Sequence, residues 1–263
     1  MGIPILILGE SGTGKSASMR NFKPDEIALA NVAGKPLPFK GKFAETVNTD
    51  SYRAIKKFMK ESYANVVVID DAQYLMANEF MRRSAERGYD KFTEIAVNFW
   101  DLVQAVRELP EEKIVVFMAH IDRDQNGNEK IKTIGKLLDE KITVEGMFAI
   151  VLKTSVSDGK FSFLTQNSGH DTVKSPIGLF PANEIDNDLK AVVDRVYDYY
   201  EIFPFDSKEK KPLEEVPVPT DKDVPVYETE PDSEFSQEQP KEAQPEPEPP
   251  KEEPRKRRTR KTR

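Results

Sequence analysis

Three short apolar runs, rich in β-branched residues, punctuate the first half of the chain, and each stops at a glycine or a polar residue. Ile3-Pro4-Ile5-Leu6-Ile7-Leu8 leads into Gly9, Val66-Val67-Val68-Ile69 into Asp70 and Asp71, and Ile114-Val115-Val116-Phe117-Met118-Ala119 into His120. Unbroken apolar runs of this length predict strands buried on both faces, as in a parallel sheet covered by helices. Glu26-Ile27-Ala28-Leu29-Ala30-Asn31-Val32 predicts another. Between them the pattern predicts helices over 15–22, 51–61 (capped by Thr49 and Asp50) and 90–108, then a last one over 188–200. The 90–108 stripe is Phe99, Trp100, Leu102, Val103 and Val106. Residues 33–41 and 171–180 predict loops, and Ser157-Asp158-Gly159 predicts a hairpin between strands over 148–155 and 160–166. Strands alternating with helices make an α/β fold with a mostly parallel sheet.

Gly9-Glu10-Ser11-Gly12-Thr13-Gly14-Lys15-Ser16 joins the first strand to the first helix. This is a complete phosphate-binding loop in its expected strand–turn–helix setting. Glycines at 9, 12 and 14 let the backbone wrap a polyphosphate with N–H groups inward, and a helix N-terminus favours the anion. Lys15 is placed to reach the β- and γ-phosphates, and the Ser16 hydroxyl to ligate Mg²⁺. Glu10 reads as solvated. The sequence predicts binding of a nucleoside triphosphate.

In open α/β sheets the ligand sits beyond the carboxyl ends of the strands, where Asp70, Asp71 and His120 fall. Asp70 takes the role of the carboxylate that holds Mg²⁺ through water opposite Ser16. Asp71 is the candidate to polarise the attacking water, with capping of the next helix at Ala72 as its structural alternative. His120 is the candidate sensor of the γ-phosphate, or else a histidine that simply finishes its strand.

Composition divides the chain. Residues 207–253 are rich in proline with a net charge of −9, and residues 254–263 carry seven positive charges and no acid, leaving −5 for residues 1–206. The acidic segment is expected to be disordered, because it has too little apolar surface to offset its ordering entropy. The basic end suits a phosphate backbone; its bland alternative is a solubilising charge run. With no cysteine and only two histidines, disulfide and thiolate chemistry are excluded and a zinc site is not expected. The first apolar run is too short to span a membrane and ends in the phosphate loop, so a cytosolic protein with no membrane partner is expected.

Taken together, the loop, the Asp-Asp strand, the His-ended strand and the hairpin resemble a RecA-type ATPase core. More narrowly, the chain resembles the short ATP-binding proteins of bacterial viruses, some of which are single-strand annealing proteins. The resemblance covers about residues 1–203, and Gly34-Lys35-Pro36-Leu37-Pro38, Glu145-Gly146-Met147-Phe148 and Lys174-Ser175-Pro176 add to it. It implies an ATPase that forms filaments or rings, works on single-stranded DNA in the bacterial host cell, and cooperates with a single-strand-binding or replication protein. DNA-binding loops are implied after the Asp70 strand and after the His120 strand. Those places hold Arg82, Arg83 and Arg87 among aromatics, and Lys130, Lys132 and Lys136 among glycines. Basic residues interleaved with aromatics suit a single strand, although either cluster also reads as a solvated charged face. Lys174 is the residue the resemblance offers to a neighbouring subunit's ATP site. Two rivals remain: a AAA+-type motor or helicase loader, and a nucleotide-switched binding module with little turnover.

Overall fold

The computed structural model describes residues 1–124 and 126–203. The acidic segment 207–253 and the basic end 254–263 lie outside the described residues.

In chain order the strands are β1 (Ile3–Leu8), β2 (Ile27–Asn31), β3 (Glu45–Asn48), β4 (Val66–Asp70), β5 (Ile114–Ala119), β6 (Ile121–Arg123), β7 (Glu129–Ile131), β8 (Ile150–Ser157), β9 (Lys160–Leu164) and β10 (Glu184–Asp186). The α-helices are α1 (Tyr52–Glu61), α2 (Gln73–Arg82), α3 (Asp90–Ala105) and α4 (Leu189–Tyr199). One eight-stranded sheet runs β10-β9-β8-β1-β5-β4-β2-β3, and β6 pairs with β7 apart from it. From β3 to β8 every pairing is parallel, while β9 and β10 add on antiparallel. The α/β class, the mostly parallel sheet and the hairpin at its end agree with the sequence expectation.

The apolar runs divide by alternation, as a buried strand must. Leu6, Leu8, Val67, Ile69, Val115 and Phe117 face one side, where Ile55 and Met59 of α1, Leu75 and Met76 of α2, and Phe99 and Leu102 of α3 cover them. Ile5, Ile7, Val66, Val68, Val116 and Met118 face the other, against Met19 and the Leu189, Val192, Val193 and Val196 stripe of α4. Burial on both faces explains why these strands have no polar position until their carboxyl ends.

Several expectations need correcting. The helix expected over 15–22 is a six-residue 3-10 helix, Ser16–Asn21. The Ser18 hydroxyl donates to the Lys15 carbonyl at 2.6 Å, Phe22 N closes on Met19 O, and Pro24 follows. Such side-chain bonds compete with the α-helical ladder, and so short a helix has a small dipole. The cap of α1 is Ser51, whose side chain accepts from Ala54 N, rather than Thr49 or Asp50. Helix α2 covers residues 73–82, so of Arg82, Arg83 and Arg87 in the loop that the resemblance implied after the Asp70 strand only Arg83 and Arg87 fall beyond the helix. Trp100 is 40% exposed, because it lies about 100° round α3 from Phe99, off the buried stripe. Strands β3, β6, β7 and β10 were not foreseen. Each has three or four residues with at most two apolar ones, and β3 and β10 lie at the sheet's edges.

Candidate functional site

β5 lies between β1 and β4, so His120 emerges between the glycine loop and the two acids. Leu8 pairs with Ala119 and Asn31 with Asp70, which aligns Gly9, His120, Asp70 and Asn31 along one edge of the sheet. Gly9 N donates to Ala119 O at 3.2 Å, and Ala72 N to Met118 O at 2.8 Å. A cleft of about 490 Å³ opens there, lined by the glycine loop and by Lys35, Asp70, Asp71, His120 and Phe161.

Glycine is required in the loop for two different reasons. Gly12 and Gly14 have φ of +79° and +98°, the left-handed region that disfavours a side chain. At Gly9 the cause is crowding, since a Cβ would lie 1.9 Å from Thr154 Oγ1. Thr154, on β8, accepts or donates a 2.6 Å bond with Thr13 Oγ1, and Thr13 Oγ1 also lies 2.7 Å from the Glu10 carbonyl. The loop is thereby fastened to the neighbouring strand.

Lys15 is buried, and its ammonium donates to the carbonyls of Gly9 (2.8 Å) and Glu10 (2.7 Å). Burial pushes its pKa down, against the pull of Asp71 and Asp70. Ser16 Oγ donates to Asp70 at 2.8 and 3.0 Å. Burial pushes the Asp70 carboxyl up, and the Asp71 charge adds to that, against the Ser16 hydrogen bond. A hydroxyl and a carboxylate this close form an oxygen pair that suits a hard cation. Among the described residues no group of three or more His, Cys, Asp or Glu could hold a metal. A Mg²⁺ ion needs only one or two such protein ligands beside phosphates and water.

Asp71 has φ +58°, an unusual backbone for a residue other than glycine, and asparagine and aspartate tolerate it best. Its Oδ2 accepts from Lys35 Nζ at 2.8 Å, and its Oδ1 lies 3.1 Å from His120 Nε2. Burial pushes the Asp71 carboxyl up, but Lys35, with His120 and Lys15, outweighs this and holds it below the usual range. His120 is pushed down by burial and by the Lys15 charge, so at neutral pH it is uncharged and donates its Nε2–H to Asp71. Asp71 makes no side-chain cap for α2, whose first turn has no side-chain capping bond.

Ser11, Gly12, Gly14, Lys15 and Ser16 of the glycine loop thus line one cleft with Asp70, Asp71 and His120, whereas Gly9, Glu10 and Thr13 are not part of its lining. Glu10 is exposed and paired with Arg123 at 3.0 Å. Lys35, Thr154 and Phe161 were missed as site residues. Lys35 carried a readable signal, because it lies four residues past the polar end of β2, at the carboxyl edge of the sheet. Thr154 and Phe161 reach the site only through the pairing of β8 with β1 and β9, which no local pattern encodes.

The expected DNA-binding residues differ in what holds them. Arg82 pairs with Asp50, and Arg83 with Glu79, Glu86 and Glu94 at 3.1, 2.8 and 2.7 Å. Lys91 then ties down the segment after α2 through the carbonyls of Arg83 and Glu86. Arg87, Lys132 and Lys136 are exposed, and Lys130 is half-buried in β7. Lys132 N donates to the His120 carbonyl at 2.9 Å. Lys174 forms an isolated antiparallel bridge with Val151, away from the cleft lining. Among the described residues no helix is long and apolar enough to cross a membrane.

No protein-family model matches the chain, and no curated protein matches its sequence.

Proposed function

We propose that this chain is a RecA-like P-loop ATPase that binds ATP with Mg²⁺ at the Gly9–Ser16 loop and acts on single-stranded DNA. The observation that carries the reading is the meeting of Ser16 with Asp70 beside Lys15 and Asp71 in one cleft at the carboxyl edge of the sheet. It is supported by the strand order, with β5 inserted between the loop strand and the acid strand. Lys15 would exchange the loop carbonyls for the phosphates, and Ser16, with Asp70 through water, would hold Mg²⁺, which would supply positive charge to the phosphate oxygens. Asp71, oriented by neutral His120, holds the attacking water. The water oxygen bonds to the γ-phosphorus as the bond to the β–γ bridging oxygen breaks, and the proton leaves on phosphate. A carboxylate held below its usual pKa acts here by position and charge more than by basicity.

The DNA side rests on exposed Arg87, Lys132 and Lys136, and on the bond from Lys132 to the His120 carbonyl, one residue from the nucleotide cleft. Oligomerisation and a basic contribution from Lys174 of a neighbouring copy belong to the same proposal.

One observation favours a second reading, a nucleotide-switched module with little turnover: Asp71 is already engaged by Lys35. The test is ATP hydrolysis by the full chain with and without single-stranded DNA. A clear rise with DNA is expected. ATP binding without turnover in either condition would select the switch, and no binding would remove both.

A further inference from the structure

Two ammonium groups, Lys15 and Lys35, line the nucleotide cleft, and they are held in different ways. Lys15 is buried on the carbonyls of its own loop. The Lys35 side chain is 59% exposed and rests on Asp71, with its ammonium 5.1 Å from the centroid of the Tyr74 ring. The backbone beneath Lys35 is fixed. Asn31 Nδ2 donates to the Lys35 carbonyl at 2.7 Å, Gly34 takes φ +63°, and Pro36 and Pro38 stiffen the chain on its carboxyl side. An anchored backbone with a solvent-exposed charged tip suits a group that changes partner.

The charges favour such a change. Lys35 is near enough to Lys15 for its charge to help push the Lys15 pKa down, so the two cations repel across the cleft. A terminal phosphate placed between them relieves that repulsion. It also offers Lys35 more negative charge than one carboxylate does. The Lys35 end of the pair is exposed but Asp71 is not, so a departing Lys35 leaves a buried carboxylate with His120, a cost that the charge of the terminal phosphate has to offset.

We propose that Lys35 is a cation for the terminal phosphate supplied by the same chain, parked on Asp71 until a triphosphate arrives, and that its transfer frees Asp71 to hold the attacking water. This rests on the ATP-site reading above. His120, 3.1 Å away on the other carboxylate oxygen, keeps Asp71 oriented after Lys35 leaves. A diphosphate does not reach Lys35 and leaves Asp71 occupied.

The test measures binding of fluorescent, non-hydrolysable ATP and of fluorescent ADP to the full chain, with kcat and KM alongside. Lys35→Ala is expected to weaken the triphosphate about tenfold, as loss of one charged hydrogen bond does, with little change for ADP. Lys35→Arg should recover most of the triphosphate binding. Asp71→Asn, which releases Lys35, should tighten triphosphate binding more in the wild-type background than in Lys35→Ala. Equal losses for ATP and ADP would overturn the proposal in favour of a role in loop shape, with the nucleotide site intact. An Asp71→Asn effect independent of Lys35 would also overturn it. If the wild-type chain binds neither nucleotide, the site reading fails and the Lys35 role falls with it.

Discussion

Ser16 Oγ and the Asp70 carboxylate meet at 2.8 Å, although 54 residues of chain separate them and β5 lies between their strands. A buried carboxylate whose pKa is raised is destabilising in its charged form. Here the hydroxyl offsets only part of that cost. The folded state binds the Asp70 proton more tightly than the unfolded state, so stability falls as pH rises through the folded pKa.

Asp70→Asn should therefore stabilise the ligand-free chain at neutral pH and, on the proposed reading, damage metal binding. A higher Tm without ligand is expected. Mg²⁺-dependent nucleotide affinity should be reduced by about 10–100-fold, as for other groups that hold a metal through water. A lower ligand-free Tm would mean that Asp70 contributes more through its hydrogen bonds than it costs by burial.

A second pH response of the site, opposite in sign to that of Asp70, arises from His120 and Asp71. Around this pair stand Lys35 and Lys15, with Asp70 alongside. His120 has a folded pKa below 6.5, so the unfolded state takes up its proton first and stability falls as pH drops through that window. Asp71, depressed below 3.8, adds a second loss at lower pH. His120→Gln should flatten the first fall in Tm and leave the second. An unchanged Tm profile between about pH 5 and 6.5 would show that His120 titrates alike in both states.

Much of this was legible because burial on both faces leaves an unmistakable mark. β1, β4 and β5 have no polar residue before their ends, so Gly9, Asp70 and His120 stand out as the places where the strands reach the carboxyl edge of the sheet. The edge strands β3 and β10 bury little and leave no such mark. Arg82 and Arg83 read as a basic loop because the sequence does not reveal that Asp50, from the turn before α1, and Glu94, from α3, come to meet them. Lys35 was visible as part of a Gly-Pro-rich loop. Its partner Asp71 is 36 residues away, and only the β2–β4 pairing brings the two together.

Gly9→Ala should destabilise the fold by about 1–3 kcal/mol through overpacking, since the new Cβ enters the space of Thr154 Oγ1. Because Gly9 does not have the positive φ of Gly12 and Gly14, the clash is with a side chain and can be relieved. Adding Thr154→Ala should recover part of the loss in chemical denaturation. Full additivity of the two substitutions would place the strain in the backbone instead.

Phe161 is 43% exposed at the cleft rim, with Cδ1 2.9 Å from where a Gly14 Cβ would stand. On the proposed reading, this exposed ring beside the glycine loop offers a face to the nucleotide base. Phe161→Ala should weaken ATP roughly tenfold, within the ~1–3 kcal/mol of a base–aromatic stack, and leave inorganic tripolyphosphate binding unchanged. Equal weakening of both ligands would assign Phe161 to support of the loop.

Arg87 and Lys132 differ from Arg83 in what holds them. The guanidinium of Arg83 bridges three carboxylates and fixes the segment after α2, whereas Arg87 and Lys132 are exposed. On the proposed reading, Arg87→Ala and Lys132→Ala should each weaken single-stranded DNA binding across sequences and lower its salt slope by about 1. Arg83→Ala should lower Tm by leaving the buried Glu79 carboxylate with Asn98 but no cation, without a matching change in salt slope. Salt titrations of the three variants, each at a temperature well below its Tm, separate the roles. A reduced slope for Arg83→Ala alone would move the DNA contact onto that ion-paired cluster and away from the exposed residues.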